Sequence, residues 1–371
     1  MDIHELKIGT AGPIYPPFEA IIRTVKRIEE QGYDSIWWPD HWMGMIPTSL
    51  GVDLEKESKI RFDVYPETVV MMTLTSIVTS KILIGSSVVE PFRRHPAMIA
   101  QTFLTLDNLS KGRVILGIGA GEAENTIPYG LKLEKPASRL REAIKIIRLF
   151  WEKRKISYDG NFWKLENAVI AFPPYREGRY PPIWVGAHKP KTLRVVAELG
   201  DGWLPANLPP DEYEENLKTI KSLARKFNRN PEEITPALFI CIFIDKEHEE
   251  CHQTLKSDFA KAFALWHIPV KEWKKHGFSH PLGEKFYSWT DYIPEKYPYK
   301  EVSDMLKGVP EKLLEEFYIH GTADEVIKKL EEYVRVGLKH VLIWNLTATC
   351  NYHRSKNSFK ELKKVLGYIK G

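Results

Sequence analysis

The sequence has few cysteines, no long apolar run and no concentrated positive charge, so it lacks the features of disulfide-rich, membrane-spanning and nucleic-acid-binding proteins. Its three cysteines, Cys241, Cys251 and Cys350, are odd in number and lack the CxxC spacing of a metal site. We expect them to be reduced thiols in a cytoplasmic protein. No apolar run approaches the roughly 20 residues of a membrane span, and the N-terminus has no signal-peptide pattern. The net charge of +4 is spread over segments of mixed sign, which argues against a nucleic-acid partner.

Glutamine is also scarce, since it occurs only at Gln31, Gln101 and Gln253, whereas Lys and Glu are abundant. This balance favours a thermophilic source. Hydrophobic residues make up 43% of the chain and charged residues 27%, which are the proportions of a soluble globular protein. Its 371 residues suit one α/β barrel with insertions.

Short apolar runs alternate with amphipathic helical stretches along the whole chain. The runs are rich in Ile and Val without strict alternation, as is typical of strands covered on both faces. Eight strand–helix pairs in a row predict a (β/α)8 TIM barrel. An open doubly wound sheet is the alternative, because periodicity does not show closure. The predicted strands are 6–12, 35–39, 82–89, 114–121, 182–188, 202–206, 236–244 and 340–346. The predicted helices are about 17–31, 65–80, 96–109, 136–153, 190–199, 211–228, 323–336 and 356–369.

Several intervals are too long for plain strand–helix connections. They are 41–63, 122–135, 155–181 and 245–320. The third contains "YDGNFWKLENA", whose Asp-Gly turn between β-prone runs predicts a hairpin. We therefore predict insertions after strands 2, 4 and 7 within one domain spanning 1–371, with 245–320 as a helical insertion.

The stretch "SIWWPDHW", residues 35–42, places Asp40 and His41 directly after the second predicted strand. A histidine among aromatic residues is either packed in a core or placed against a flat ligand. Barrel active sites lie at the C-terminal ends of the strands, so the position favours the ligand. Trp42 is then a candidate to line the pocket.

A second candidate is "GRVILGIGAGEAEN", residues 112–125, where Gly117, Gly119 and Gly121 alternate before Glu122. The spacing does not match the nucleotide fingerprint G-x-G-x-x-G. Glycines at a strand end let a flat ligand approach the backbone, with Glu122 at its edge. The alternative is a tightly packed turn with Glu122 in solvent.

Two further loops carry basic residues near predicted helix N-termini. Arg93, Arg94 and His95 precede the helix that starts at Pro96, and they either receive phosphate or form a solvated basic turn. The turn of Gly186, Ala187, His188 and Lys189 precedes another helix, whose backbone N–H groups and dipole favour an anion.

With these stretches, the chain resembles the bacterial luciferase-like superfamily, and within it the enzymes that use the deazaflavin coenzyme F420. The resemblance covers nearly the whole chain and is most specific at "DH", at "RHPAMIAQTFLTLDNLSKGRVILGIGAGE" and at "GDGW". The phthiodiolone ketoreductase branch also shares "PPYR" and a segment like "WKKHGFSHPLG". Methylenetetrahydromethanopterin reductase belongs to the same superfamily.

The resemblance implies roles for individual residues. His41 would face the reactive C5 of the deazaflavin and act as general acid or base. Asp40 would orient His41 or bind the cofactor ring, and Glu122, on the other side of the substrate pocket, would be the second proton-handling group. The Ser87–Val88 bond would be a non-prolyl cis peptide that supports the cofactor ring. The remaining cofactor contacts implied are Gly119, Gly121, Gly186, Ala187, His188 and Lys189.

This chain also departs from its relatives. Met45 stands where the alcohol and sugar-phosphate dehydrogenases carry a tryptophan, so Trp42 and Met45 are the predicted substrate-pocket residues. The acidic turn "ANLPPDEY" argues against a sugar phosphate as substrate. The predicted small-molecule substrate is a carbonyl, an alcohol or a methylene-pterin, and no metal is expected.

Alternatives to this interpretation are an FMN-dependent monooxygenase and a non-catalytic flavin-binding barrel. Related enzymes imply a homodimer or tetramer. Aromatic residues of 245–320 either roof a large substrate or form a dimer surface, and the sequence leaves both open. They are Trp266, Trp273, Phe278, Phe286, Tyr287 and Trp289.

Overall fold

A computed structural model describes residues 2–51 and 63–371. The described strands are, in chain order, β1 (Lys7–Ala11), β2 (Ser35–Trp38), β3 (Leu83–Ser86), β4 (Val114–Ile118), β5 (Lys155–Asp159), β6 (Lys164–Val169), β7 (Ile183–Val185), β8 (Gly202–Trp203), β9 (Thr235–Ile244), β10 (Ile319–Gly321) and β11 (His340–Asn345).

Eight of these strands form a closed parallel barrel in the order β1-β2-β3-β4-β7-β8-β9-β11. Three pairings close the barrel: β11 pairs with β1 from Lys7↔His340 onward, and β9 pairs with both β8 and β11. The predicted TIM barrel is therefore confirmed, and the open sheet is excluded. All eight predicted strands correspond to barrel strands.

Helices cover the barrel and also make up most of the segment before β10. They are α1 (Phe18–Glu30), α2 (Thr68–Val78), α3 (Pro96–Ser110), α4 (Pro136–Glu152), α5 (Pro190–Leu199), α6 (Pro210–Lys226), α7 (His248–Leu255), α8 (Asp258–His267), α9 (Val270–Lys275), α10 (Ser288–Asp291), α11 (Tyr299–Lys307), α12 (Glu311–Phe317), α13 (Ala323–Arg335), α14 (Leu346–Cys350) and α15 (Tyr352–Lys370). Each predicted helix has a counterpart among them.

The predicted strands 182–188 and 202–206 are longer than β7 and β8. The apolar runs continue, but the chain leaves the sheet after two or three residues, and only an isolated bridge, Ala206↔Phe239, extends the pairing. The predicted hairpin in 155–181 is confirmed by the antiparallel strands β5 and β6. Residues 52–62 of the predicted insertion 41–63 lie outside the described residues.

The cluster of apolar residues inside the barrel includes two tryptophans that face glycines. Trp37 and Trp184 have ring centroids 5.2 Å apart. A Cβ on Gly85 would lie 2.2 Å from the Trp37 ring, and one on Gly202 would lie 2.5 Å from Trp184. These strands use glycine because the rings occupy the space that other side chains would take. Trp38, the next residue, points the other way and donates to Thr75 Oγ1 at 3.1 Å.

The segment between β9 and β10 has a hydrophobic cluster of its own. Helices α7 to α9, α11 and α12 all contribute to it, with Phe263 and Trp266 from α8 and Trp273 from α9, and Met45 and Leu50 from the segment after β2 belong to the same cluster. This cluster places aromatic residues above the C-terminal end of the barrel. Within the described residues, none of the helices has the length and apolarity that a bilayer crossing requires.

Candidate active site

Four side chains from two loops meet at the C-terminal end of the barrel. His41 follows β2, and Glu122, Glu124 and Asn125 follow β4. Nδ1 of His41 lies 3.0 Å from Glu124 Oε1, 3.0 Å from Asn125 Nδ2 and 3.7 Å from Glu122 Oε2. Asn125 also donates to Glu122 Oε2 at 3.1 Å, and its Oδ1 accepts from the backbone N–H of Trp42 at 2.9 Å. The network thus ties the two loops together.

Burial controls the protonation of this network. It raises the pKa of Glu122 to about 7 and the pKa of Glu124 to about 8. It lowers the pKa of His41, although the nearby Glu122 carboxylate raises it in part. At neutral pH, Glu124 therefore retains its proton, Glu122 is about half protonated, and the neutral form of His41 is favoured. Glu124 Oε2 is buried without a hydrogen-bond partner among the described residues.

Asp40 forms a different set of contacts from its neighbour His41. Its buried carboxylate accepts from Arg93 Nη2 at 2.6 Å and from Arg94 Nη1 at 2.6 Å. Arg93 also binds Glu90, and Arg94 also binds Glu67. The two arginines are thus engaged by carboxylates, so they do not form a solvated basic turn; Arg93 lines the cavity described below, and its buried Nη1 has no hydrogen-bond partner among the described residues. Asp40 fixes the loop after β3 against the loop after β2.

A cavity of about 1380 Å³ lies above the barrel, next to the His41 network. This is larger than the roughly 300–1,000 Å³ of an ordinary small-molecule pocket, so it has room for a cofactor and a substrate together. Most of the predicted site residues line it: Asp40, His41, Met45, Ser87, Val88, Gly119, Gly121, Glu122, Gly186, His188 and Lys189. The Ser87–Val88 peptide bond is cis, as the resemblance implied.

Two predicted residues lie outside the cavity wall. Trp42 is 48% exposed and packs edge-on against Tyr129, with the Arg93 guanidinium 4.9 Å from its ring. Ala187 is buried, and its carbonyl accepts from Trp203 Nε1 at 2.9 Å. The side chains that pack against Trp42 and Ala187 keep both residues out of the cavity wall. The sequence around the two residues does not identify these packing partners.

His188 and Lys189 lie at the start of α5, as predicted, but they are partly engaged. His188 Nε2 accepts from the backbone N–H of Ala206 at 3.1 Å, and burial lowers its pKa to about 4, so it is neutral. The Lys189 ammonium lies 4.7 Å from the Tyr287 ring. The positive charge at this helix N-terminus therefore belongs to Lys189 and Lys191, both in the cavity wall.

The aromatic residues of 245–320 divide into two groups. Trp266, Tyr287 and Trp289 line the cavity. Trp273 is fully buried in the cluster of the helical segment, and Phe278 and Phe286 pack against that cluster. Part of the segment therefore roofs the cavity.

Glu124 and Asn125 were not singled out from the sequence, although both stand in the stretch "GEAEN" that carried Glu122. The sequence feature that could have identified Glu124 and Asn125 is the concentration of polar residues directly after a buried strand. Which of these side chains turns inward depends on the path of the loop between β4 and α4, and the sequence pattern does not specify that path.

The protein is a closed (β/α)8 barrel with a buried histidine–carboxyl network beside a large cavity, and these are the features of a TIM-barrel enzyme. Comparison with known proteins identifies the family: the one described as "Luciferase-like monooxygenase" matches residues 4–340, and the chain belongs to it.

Two relatives are similar to this chain over most of its length. The chain is 35% identical over 323 residues to the phthiodiolone/phenolphthiodiolone dimycocerosates ketoreductase of Mycobacterium tuberculosis, covering 85% of this chain and 84% of that one. It is 28% identical over 318 residues to the 5,10-methylenetetrahydromethanopterin reductase of Archaeoglobus fulgidus, covering 86% and 87%.

Two solved structures share the fold at low identity. An F420-dependent secondary alcohol dehydrogenase in complex with an F420-acetone adduct superposes with a TM-score of 0.77, at 21% identity over 99% of both chains. A monooxygenase from Streptomyces bottropensis superposes with a TM-score of 0.68, at 15% identity over 99% of this chain and 100% of that one.

Proposed function

We propose that this protein is a coenzyme F420-dependent oxidoreductase that transfers a hydride between the deazaflavin and the carbon of a carbonyl or alcohol group. The observation that carries the proposal is the buried network of His41, Glu122, Glu124 and Asn125 beside the large cavity. Reducing a carbonyl to an alcohol requires one hydride and one proton, and this network is built to hold and deliver protons.

The cavity wall fits a flat ring with a phosphate-bearing side chain. Gly119, Gly121 and Gly186 present backbone rather than side chains to the cavity. The N-terminus of α5, with Lys189 and Lys191 beside it, offers backbone N–H groups and positive charge to a phosphate. When bound, F420 supplies a carbon centre that donates or accepts a hydride, and the protein provides the rest.

His41 handles the proton at the substrate oxygen. Its Nδ1 faces Glu124 and Asn125, which leaves Nε2 as the nitrogen available to a bound substrate. In the reductive direction, His41 donates a proton to the developing alkoxide and regains one from the Glu122–Glu124 pair. In the oxidative direction, the same groups accept the proton.

The substrate class follows from the cavity and the relatives. Trp266 and Trp289 give the cavity an apolar wall, and the Mycobacterium tuberculosis relative is named as a ketoreductase. We therefore propose a ketone or secondary alcohol with a large apolar group. A methylene-pterin is the second candidate, because the Archaeoglobus fulgidus relative is named as a reductase of that substrate.

The first test is a parallel titration of the purified protein with F420 and with FMN, followed by fluorescence. We expect tight F420 binding and weak FMN binding. The reverse preference would make an FMN-dependent monooxygenase the better account, and binding of neither would favour a non-catalytic barrel. Ketones, alcohols and methylene-pterins are then screened for F420-dependent turnover.

The second test replaces His41 by Ala. General acid–base catalysis contributes about 10²–10⁴-fold, so turnover is expected to fall by a factor in that range while F420 still binds. His353→Ala is the matched control, because His353 is exposed on α15. Unchanged turnover in His41→Ala would contradict the assigned role. A cytoplasmic location and a homodimeric or tetrameric state remain part of the proposal.

A further inference from the structure

Three histidines outside the cavity converge at the base of the helical segment 245–320. His248 and His252 lie one turn apart on α7, and His320 lies on β10. One ring nitrogen from each lies within 4.8 Å of the others. None of the three lines the cavity.

The other nitrogen of each ring is held by an acceptor. Nδ1 of His248 lies 3.0 Å from Glu325 Oε1, and Nδ1 of His252 lies 2.7 Å from Glu315 Oε1. Nδ1 of His320 lies 3.0 Å from the carbonyl oxygen of Tyr318. A histidine that binds a metal ordinarily donates its other N–H to a carboxylate or a backbone carbonyl, which fixes the tautomer and the ring orientation.

This arrangement turns the Nε2 atoms of His248 and His252 toward one another, with one ring nitrogen of His320 close by. When Nδ1 carries the proton, Nε2 has a free lone pair. Nε2 of His248 and Nε2 of His252 are only 2.8 Å apart. Two lone pairs at this distance repel, so the bare pair shares a proton, and the two rings would move slightly apart to share a metal cation in its place.

We propose that His248, His252 and His320 bind one divalent transition-metal ion, with Zn²⁺ as the best match. Three imidazole ligands suit Zn²⁺, Ni²⁺ or Cu²⁺ better than Mg²⁺ or Ca²⁺, which prefer oxygen. Zn²⁺ commonly takes three protein ligands and a water in tetrahedral geometry. His248 is partly exposed, so the ion can enter from solvent.

The position of this metal site gives it a structural role. Helix α7 opens the segment that roofs the cavity, and β10 ends that segment. A metal ion bound by α7 and β10 would join the two ends of the segment beneath its aromatic cluster. Glu315, on α12, adds a third element to the same site.

The test begins with protein stripped by a chelator and then titrated with Zn²⁺ against a competing chromophoric chelator. We expect one Zn²⁺ per chain and a melting temperature raised by several degrees. Co²⁺ in place of Zn²⁺ is expected to give the intense visible absorption of a four-coordinate site, and X-ray absorption of the Zn²⁺ form should show nitrogen ligands at about 2.0–2.1 Å.

Variants locate the bound ion. The double substitution His248→Ala/His320→Ala should abolish both the stoichiometric binding and the thermal shift. Glu315→Gln should weaken Zn²⁺ binding by about 10–100-fold, the usual effect of removing a group that orients a ligand. His353→Ala should bind Zn²⁺ as the unmodified protein does.

A second set of groups within ligand distance of one another, His41 with Glu122 and Glu124, is the competing site. Glu124→Gln should leave the stoichiometric Zn²⁺ binding intact. Loss of binding in Glu124→Gln, or retention in His248→Ala/His320→Ala, would overturn the proposal. Weak binding that is equal in all variants would do the same, because it would show that the three histidines form no specific metal site.

Discussion

Glu122 and Glu124 hold protons at a pH where most carboxyl groups have lost them, because burial raises their pKa values to about 7 and about 8. If these groups supply the proton for carbonyl reduction, kcat for the reductive direction should fall as the pH rises through 7 to 8. The oxidative direction needs the deprotonated pair, so its kcat should rise over the same range. Steady-state rates of both directions from pH 5.5 to 9.5 measure this.

Substitution separates this effect from ordinary pH inactivation. Glu122→Gln cannot release a proton, so the reductive profile should lose its fall near pH 7 and kcat should drop. Asp304→Asn is a control, because Asp304 lies on the surface in an exposed pair with Lys307. An unchanged profile in Glu122→Gln would remove Glu122 from the proton path.

Asp40 illustrates a residue whose position suggests catalysis and whose contacts indicate stabilisation. Replacing it by Asn leaves the buried Arg93 and the largely buried Arg94 short of their shared counter-charge. Breaking a buried ion pair on one side costs about 3–5 kcal/mol, so Asp40→Asn should lower the free energy of unfolding by an amount of that order. The comparison in urea is Asp304→Asn, where an exposed pair is worth about 0–1 kcal/mol. Equal losses in the two variants would contradict this role for Asp40.

At the scale of the secondary-structure elements, the barrel strands depend on glycines that face the interior tryptophans. A methyl group added in Gly85→Ala would lie 2.2–2.6 Å from the Trp37 ring. Neither the ring nor β3 has room to move, so we expect a loss of about 1–3 kcal/mol or more from overpacking. Gly367→Ala is the matched control: in α15 the added Cβ meets no atom within 4 Å, and the change should stabilise by about 0.5–1 kcal/mol. Thermal unfolding of both variants tests the contrast, and a neutral Gly85→Ala would contradict the packing argument.

At the scale of the elements, the sequence predicted the barrel strands and the residues that directly follow them, but not the contacts between distant loops. The barrel strands were found because runs such as "VILGIGAG" are buried on both faces and therefore apolar throughout. His41 and Glu122 were found because they follow such strands. The roles of Glu124 and Asn125 and the pairing of Asp40 with its two arginines were missed, because these contacts join loops that are distant in the chain. Arg93, for example, lies 53 positions after Asp40.

For the whole molecule, the cavity belongs to neither the barrel nor the helical segment alone. Gly119, Gly186 and His41 form the barrel side of its wall, and Trp266 and Trp289 form the roof. Replacing roof residues should therefore change substrate choice without changing the barrel. This division also explains why the sequence alone left the role of 245–320 open.

The buried titratable groups together determine how the stability of the whole molecule depends on pH. Burial lowers the pKa values of several histidines to about 3 or 4, so the folded protein keeps them neutral. They are His188, His267, His280 and His340. As the pH falls below 6.5, the unfolded chain takes up these protons and the folded chain does not, so stability is lost.

Glu122 and Glu124 act in the opposite sense: above pH 4.5 the unfolded chain releases their protons and the folded chain retains them. Their contribution is therefore lost as the pH rises toward 8.

Between pH 6.5 and 8 only the carboxyl effect operates, and below 6.5 the four histidines outweigh the two carboxyl groups. The free energy of unfolding should therefore be greatest near pH 6.5. Each group contributes at most about 1.4 kcal/mol per pH unit, so the acid side should fall by about 1–3 kcal/mol per unit. Urea unfolding from pH 4 to 9 measures the curve. The double variant Glu122→Gln/Glu124→Gln should flatten the alkaline side and steepen the acid side, because the amides have no proton to lose and no longer offset the proton uptake of the histidines. A curve that kept its alkaline fall in the double variant would show that other groups cause it.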